Sequence, residues 1–410
     1  MRSYRPPARF NPHPFSYHEE IEIPIRSLTN QGIGVGTWND WVVFVPFSLP
    51  NEVVRARVYR NHANYSEADL MEVLVPSPER VSPVCPLFTE CGGCQYQHAS
   101  YSLQLQWKRQ QVEELLNKML HLQFPVSPVL PSPKPFHYRS KITPHFDKPK
   151  PPEKPAIGFL RHGRRNQIVD IPQCPLATEE INARLPEVRQ KVFQKLDQYR
   201  SGSTLLFRQS SDGNVETDPK ATVRECVNGI SFQFPAGAFF QNNPFILSSL
   251  VDFVAEQAAV PGIRYLVDTY CGSGLFSLCC AHHFEQVFGI EISEAAILAA
   301  QANAEANQIS NCHFIANDAS TIFEGLNISS HETAVIIDPP RKGCDENFLN
   351  QLFSFRPARV IYISCNPATQ IRDLDSMLKS GYSISQIQPF DLFPQTKHLE
   401  CVVVLQATNE

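Results

Sequence analysis

From Gly237 to the end of the chain, short β-branched or aromatic runs alternate with helical ones, and this alternation restricts the fold more than any other feature of the sequence. RYLVDTY, QVFGIEI, CHFIAND, TAVIIDPP, RVIYISC, ISQIQPFDLF and CVVVLQ have strand length and character, and EAAILAAQANAEAN reads as a helix between the earlier ones. Strands followed by helices in this order predict a doubly wound α/β sheet, with helices covering both faces. Ligands of such sheets bind beyond the carboxyl ends of the strands. Residues that close a strand are therefore the first candidates for a site.

The first strand runs into Asp268-Thr-Tyr270-Cys-Gly272-Ser-Gly274, a glycine turn onto a helix, and the second closes on Glu291, which can accept two hydrogen bonds from a ribose diol. The third closes on Asp318, placed to accept from an adenine amine, and the fourth on Asp338 of Asp-Pro-Pro-Arg341. Either aspartate could instead cap a helix. A dinucleotide site needs a third glycine in its turn, and Ser277 stands there. A cofactor without a pyrophosphate needs less backbone clearance, so S-adenosylmethionine fits better than NAD. The fifth strand, Arg359 to Ser364, is broken by Asn366-Pro367, which puts Cys365 at its carboxyl end. A thiol there can meet a substrate; the plain alternative is an inert core cysteine.

At 410 residues the chain is too long for one ordinary core and predicts two or three domains. Residues 19–76 hold five short alternating segments separated by turn signals, the pattern of a small closed barrel of OB type, which serves as an RNA-binding module or as a structural cap. No apolar run approaches membrane-spanning length, and MRSYRPPARFNPHP lacks the apolar centre of a signal peptide, so a cytoplasmic protein with no membrane partner is expected. Twelve cysteines in a reducing compartment read as metal ligands or catalysts when they cluster. Cys85, Cys91 and Cys94 cluster around two glycines, with Cys174 as a distant fourth, and this spacing suits zinc and an iron-sulfur centre equally.

Net charge is −5, but residues 134–165 carry nine basic residues against Asp147 and Glu153, a local +7 that leaves −12 elsewhere. With Phe136, Tyr138, Phe146 and Phe159 interleaved, this stretch is either a polyanion-facing surface or a solvated proline-rich loop. Arg139 and Lys141 alternate with apolar neighbours and are expected on one face of a strand. Leu103, Trp107, Val112, Leu115, Leu116 and Met119 form a stripe on a helix expected at 100–120.

Taken together and in order, CGGCQYQ, FFQNNP, DTYCGSG, IIDPPRKG, ISCNP and FPQTKHLE resemble the RNA 5-methyluridine methyltransferases that carry an N-terminal TRAM barrel. The resemblance covers nearly the whole chain. It implies a multidomain α/β protein: a TRAM barrel at 17–77, a central iron-sulfur domain with a β-sheet at 78–236 whose helix 100–120 docks on the next domain, and a Rossmann-like S-adenosylmethionine-dependent methyltransferase domain at 237–410. It also implies a 4Fe-4S cluster on Cys85, Cys91, Cys94 and Cys174. Gln241, Tyr270, Gly272, Gly274, Glu291, Asp318 and Asp338 match the methyl-donor site, and Phe239 falls near the target base. Cys365 matches the nucleophile that adds to carbon 6 of uracil and Glu400 the base that removes the carbon 5 proton, with Arg341 a candidate for the positive field a thiolate needs. Arg139, Lys141, Arg161, Arg164 and Arg165 are expected to contact RNA.

Leu275 departs from the asparagine common in relatives, and Cys271, Cys279 and Cys280 match no cluster ligand and are expected in the core. The implied substrate is a specific uridine of structured RNA, 23S rRNA first and the T-loop of tRNA as the alternative, methylated by a monomer. A DNA cytosine-5 methyltransferase would place Pro-Cys before its acidic motif, whereas here Cys365 precedes Asn366-Pro367; a non-catalytic RNA-binding relic would have lost Cys365 or Glu400.

Overall fold

The computed structural model describes residues 6–148, 154–317, 322–323 and 325–408. They divide into two compact units. The first comprises Met1–Gln104, Leu160–Gln167 and Gln395–Lys397, and the second Leu105–Phe159, Ile168–Pro394 and His398–Glu410. Among the described residues no helix is long and apolar enough to cross a membrane.

In the first unit, β1 (Glu20–Leu28), β2 (Ile33–Trp38), β3 (Trp41–Pro46), β4 (Val53–Asn61) and β5 (Tyr65–Val75) close a barrel in the order β1-β2-β3-β5-β4. The alternation in EIEIPI faces Ile21, Ile23 and Ile25 inward, and Ile21 and Ile23 pair with Ala56 and Val54 of β4 in the same core. On β2 the inward positions are Gly34 and Gly36. A Cβ at Gly36 would lie 2.7 Å from Ile23 Cδ1, and one at Gly34 would lie 2.0 Å from Ser48 Oγ. The glycines let this strand approach its neighbours closely enough to close a small barrel.

Helix α1 (Tyr101–Leu120) follows, and Val112 and Leu116 lie in one apolar cluster with Val267, Val335 and Val360 of the large sheet. The expected stripe is only part of the buried face: Met119 is 43 % exposed, whereas Lys108, polar by composition, is fully buried. Its ammonium meets Asp391 Oδ1 at 2.6 Å, also fully buried, and donates to the Phe393 carbonyl at 3.1 Å.

Short strands come next: β6 (Lys141–Ile142), β7 (His145–Phe146), β8 (Ile157–Arg161) and β9 (Arg164–Asp170), then α2 (Glu179–Gln194), β10 (Ser203–Thr204), β11 (Phe207–Gln209) and β12 (Val215–Glu216), and the hairpin β13 (Thr222–Val227) and β14 (Ile230–Pro235). Ile142, Phe146 and Phe207 share a core with Ile181, Leu185 and Val192 of α2. The expected pleat carrying Arg139 and Lys141 is interrupted. Strand β6 begins only at Lys141, and Arg139 pairs separately with Ala177 while its Nε donates to the Lys141 carbonyl.

The remainder of the second unit is α3 (Pro244–Ala258), β15 (Tyr265–Thr269), α4 (Leu275–Cys280), β16 (Gln286–Glu291), α5 (Glu294–Ala306), β17 (Cys312–Ala316), β18 (Thr333–Ile337), α6 (Glu346–Phe355), β19 (Arg359–Ser364), α7 (Pro367–Lys379), β20 (Tyr382–Phe390) and β21 (Glu400–Ala407). Its seven strands form one sheet in the order β17-β16-β15-β18-β19-β21-β20, parallel from β17 to β19, with β21 antiparallel between β19 and β20. Successive residues alternate between two cores: Ile361 and Ile363 pack on one face, Val360 and Tyr362 on the other. A sheet buried on both faces explains why these strands read as unbroken apolar runs.

Candidate active site

The turn after β15 is built by backbone that side chains disfavour. Tyr270, Gly272 and Gly274 have φ of +63°, +55° and +87°. Gly274 then opens α4, and a Cβ on Gly272 would meet nothing within 4 Å, so the turn faces open space of the kind a ligand needs. Behind it, Asp268 Oδ2 accepts from the amide and the hydroxyl of Ser277, at 2.9 and 2.5 Å. The residue that replaces a third glycine thus ties the helix back onto the strand. Burial pushes the Asp268 carboxyl up to about 7, with Glu291 acting in the same sense and Ser277 against it. Glu291 accepts from Ser293 N at 3.0 Å and Gly272 N at 3.3 Å, which orients its carboxylate at the turn.

At the end of β18, half-buried Asp338 is pushed up to about 7, first by burial and then by the charge of Asp268. Asp318 lies outside the described residues. Gln241 is buried on the segment between β14 and α3, where its neighbour Phe239 is 75 % exposed. Leu275, Cys271, Cys279 and Cys280 are all buried, the three cysteines as core, in line with their reading from sequence.

Cys365 follows the last residue of β19, half-buried, and Glu400 opens β21. Ser364 pairs with Cys401 across these antiparallel strands, so one further step of the register sets Cys365 beside Glu400. Burial and then the Glu400 charge push the thiol up to about 11, with Asp338 adding to the rise, while Arg341 lowers it by charge and by a hydrogen bond. Burial and Asp338 hold the Glu400 carboxyl well above the usual carboxylate range, again against Arg341. Asn366 Nδ2 and Thr369 Oγ1 donate to the Arg341 carbonyl at 3.0 and 3.2 Å, which fastens the Asp-Pro-Pro-Arg turn to the turn that carries the thiol. A thiol, a buried carboxyl, a second carboxyl and a guanidinium therefore act on one another at one end of the sheet, beside a turn facing open space.

Residues 220–408 match the tRNA (Uracil-5-)-methyltransferase family and residues 18–71 the TRAM domain. The chain is 43 % identical to the Schizosaccharomyces pombe tRNA (uracil(54)-C(5))-methyltransferase, over 96 % of this chain and 79 % of that one. It is 35 % identical to the Saccharomyces cerevisiae enzyme of the same description, over 95 % and 74 %. This chain belongs to the RNA uracil-C5 methyltransferase family. Its fold is also that of the Pyrococcus abyssi tRNA (uracil-54, C5)-methyltransferase, solved with S-adenosyl-L-homocysteine, at 25 % identity and a TM-score of 0.73 over 94 % of this chain and 100 % of that one. The enzyme is an S-adenosylmethionine-dependent methyltransferase of uracil in RNA, with a TRAM barrel at its N-terminus.

Cys85, Cys91 and Cys94 belong to the first unit and Cys174 to the second. Gln97 Nε2 donates to Cys94 Sγ at 3.2 Å, and none of the four cysteines is in a disulfide. Among the described residues no three His, Cys, Asp or Glu side chains form a group that could hold a metal ion. Arg161 pairs with Glu90 at 3.0 Å, Arg164 is exposed, and the side chain of Arg165 and all of Lys150 lie outside the description. Lys141 does not project freely, because its ammonium is bonded to the carbonyls of Gly237 and Ala238. Sequence reading missed Asp268, Asn366 and Lys108. Asn366 stood in the quoted ISCNP motif, but nothing in the chain order pointed to its partner, the Arg341 carbonyl.

Proposed function

We propose that the enzyme methylates carbon 5 of uridine 54 in the T-loop of tRNA. The observation that carries this reading is the near full-length similarity to two yeast enzymes and one archaeal enzyme described by that nucleotide, which favours tRNA over 23S rRNA. Cys365 acts as nucleophile. Its thiolate adds to carbon 6 of the uracil, and the resulting enolate attacks the donor methyl from carbon 5, expelling S-adenosylhomocysteine. Glu400 then takes the carbon 5 proton, the carbon 6–sulfur bond breaks, and the thiolate is regenerated with one proton left on Glu400. The elevated Glu400 carboxyl is a stronger base than an exposed one, which suits removal of a carbon-bound proton. Arg341 supplies positive charge at the thiol, and a bound sulfonium adds to it. Gln241, Tyr270, Gly272, Gly274, Glu291, Asp318 and Asp338 form the donor site. The target base must leave its stack to reach the thiol, at an energy of a few kcal/mol.

We infer the domain boundaries 17–77, 78–236 and 237–410. We also infer a 4Fe-4S cluster held by Cys85, Cys91, Cys94 and Cys174, supported by the all-thiol donor set and the Gln97 amide on Cys94. The substrate reading is tested by mapping 5-methyluridine by mass spectrometry in tRNA and rRNA from a deletion strain. Loss at position 54 of tRNA is expected; intact tRNA with loss in rRNA overturns it.

A further inference from the structure

The loop Gly237–Asn242 joins β14 to α3 and carries both Phe239 and Gln241. Lys141 and Arg208 sit directly opposite one another on the antiparallel strands β6 and β11. Like charges in that position repel. Arg208 is moreover fully buried, and its closest carboxylate, Glu225, is 3.8 Å away, beyond hydrogen-bond reach. A buried guanidinium so loosely paired is costly to the fold. Its placement therefore needs a reason outside these strands.

Both cations grip the same loop, from opposite ends. Lys141 Nζ donates to the carbonyls of Gly237 and Ala238, each at 3.0 Å. Arg208 Nη1 donates to Asn242 Oδ1 at 3.0 Å, and its guanidinium lies over the rings of Phe234 and Phe240 at 5.1 and 5.9 Å. Ser140, beside Lys141, donates its amide to the Asn242 carbonyl at 2.9 Å. Phe240 is stacked on Phe234 at 4.5 Å and is 4 % exposed, so the middle of the loop is nailed inward while Phe239 points out.

We propose that Lys141 and Arg208 form a two-cation clamp that fixes the Gly237–Asn242 loop and so positions Phe239 and Gln241, which makes Lys141 a positioning residue and not a contact to RNA phosphate. The clamp rests on the reading that this loop serves the methyl donor and the target base. Burial lowers the pKa of both cations, that of Arg208 to about 10, and Arg208 further lowers that of Lys141. The pair is thus held together at an electrostatic disadvantage that the loop carbonyls and the Asn242 amide offset, with Glu225 and the Phe234 and Phe240 rings helping at Arg208.

The test uses the full chain with Lys141→Met, Arg208→Met, Asn242→Ala and the double variant Arg208→Met/Asn242→Ala. Three quantities are read: amide hydrogen exchange of segment 237–243, the rate of covalent adduct formation with a 5-fluorouridine-containing tRNA at saturating RNA, and the salt slope of RNA binding. Each single variant should speed exchange in the segment and slow adduct formation on the order of 10- to 100-fold, as small misplacements of reacting groups do. The double variant should be no slower than Arg208→Met alone, and Lys141→Met should leave the salt slope unchanged. Additive losses in the double variant, unaltered exchange, or a slope reduced by ~0.7 or more in Lys141→Met overturns the clamp. Where Arg208→Met fails to fold, Arg208→Lys, which keeps the charge and loses the fork, is read on the same three scales. A wild type that forms no adduct defeats the catalytic reading, and hydrogen exchange still decides the clamp.

Discussion

At the scale of single residues, the proposed mechanism gives Cys365 and Glu400 separate steps, so they should fail separately. Cys365→Ala removes the group that bonds to uracil, so neither methyl transfer nor adduct is expected. Glu400→Gln spares attack and transfer but leaves the carbon 5 proton in place. With labelled tRNA on a denaturing gel, the Glu400 variant should show a retarded band that depends on S-adenosylmethionine, and the Cys365 variant none; methylation by Cys365→Ala would direct attention to another nucleophile. The pH dependence has a defined sign. Burial and Glu400 place the resting thiol near 11, so the reactive thiolate grows with pH throughout the range below that value, whereas an ionised Glu400 is needed only for the later removal of the carbon 5 proton. Adduct formation in rapid quench should therefore rise steadily from pH 6 to 9, and a flat profile would mean that the bound complex ionises the thiol in advance.

At the scale of elements, the sequence disclosed most of what is local and little of what is cross-chain. Apolar runs located the seven strands of the large sheet because both its faces are buried, and alternation located the five barrel strands because only one face is. Charge alone said nothing of the partners of Lys108 and Lys141. A lysine reads as solvent-facing unless its partner is known, and Asp391 and the Gly237 and Ala238 carbonyls are distant in sequence. The buried Lys108–Asp391 pair gives this a measurable form. Lys108→Met strands a buried carboxylate and should cost ~3–5 kcal/mol in urea unfolding, whereas Lys108→Met with Asp391→Leu should recover most of the loss. Equal destabilisation in both variants would show that the helix is held by shape alone.

At the scale of the whole molecule, net charge of −5 argued against a polyanion partner while family membership requires one. We propose that the basic residues at 134–165 resolve the conflict locally, and they are not equivalent. Arg161 is already paired with Glu90, whereas Arg164 is exposed. Arg164→Ala should flatten the salt dependence of tRNA binding by ~0.7–0.9 and Arg161→Ala by less; slopes unchanged from wild type in both would return the stretch to solvated loop. The four cysteines are tested on the same scale: protein purified without oxygen should be brown and carry about four irons with sulfide. Stoichiometric zinc without sulfide would refute the cluster.

The antiparallel return of β21 alongside β19 has a consequence for how this enzyme can change over time. Cys365 and Glu400, the proposed nucleophile and base, are set side by side by a hydrogen-bonded ladder, so insertions in the turn after α7 leave the pair aligned. A single residue added within β21 would instead turn Glu400 to the opposite face of the sheet and silence the enzyme without touching either reactive group. Lineages can therefore vary the turn between α7 and β20, while the ladder and the buried segment that leads into Glu400 are frozen.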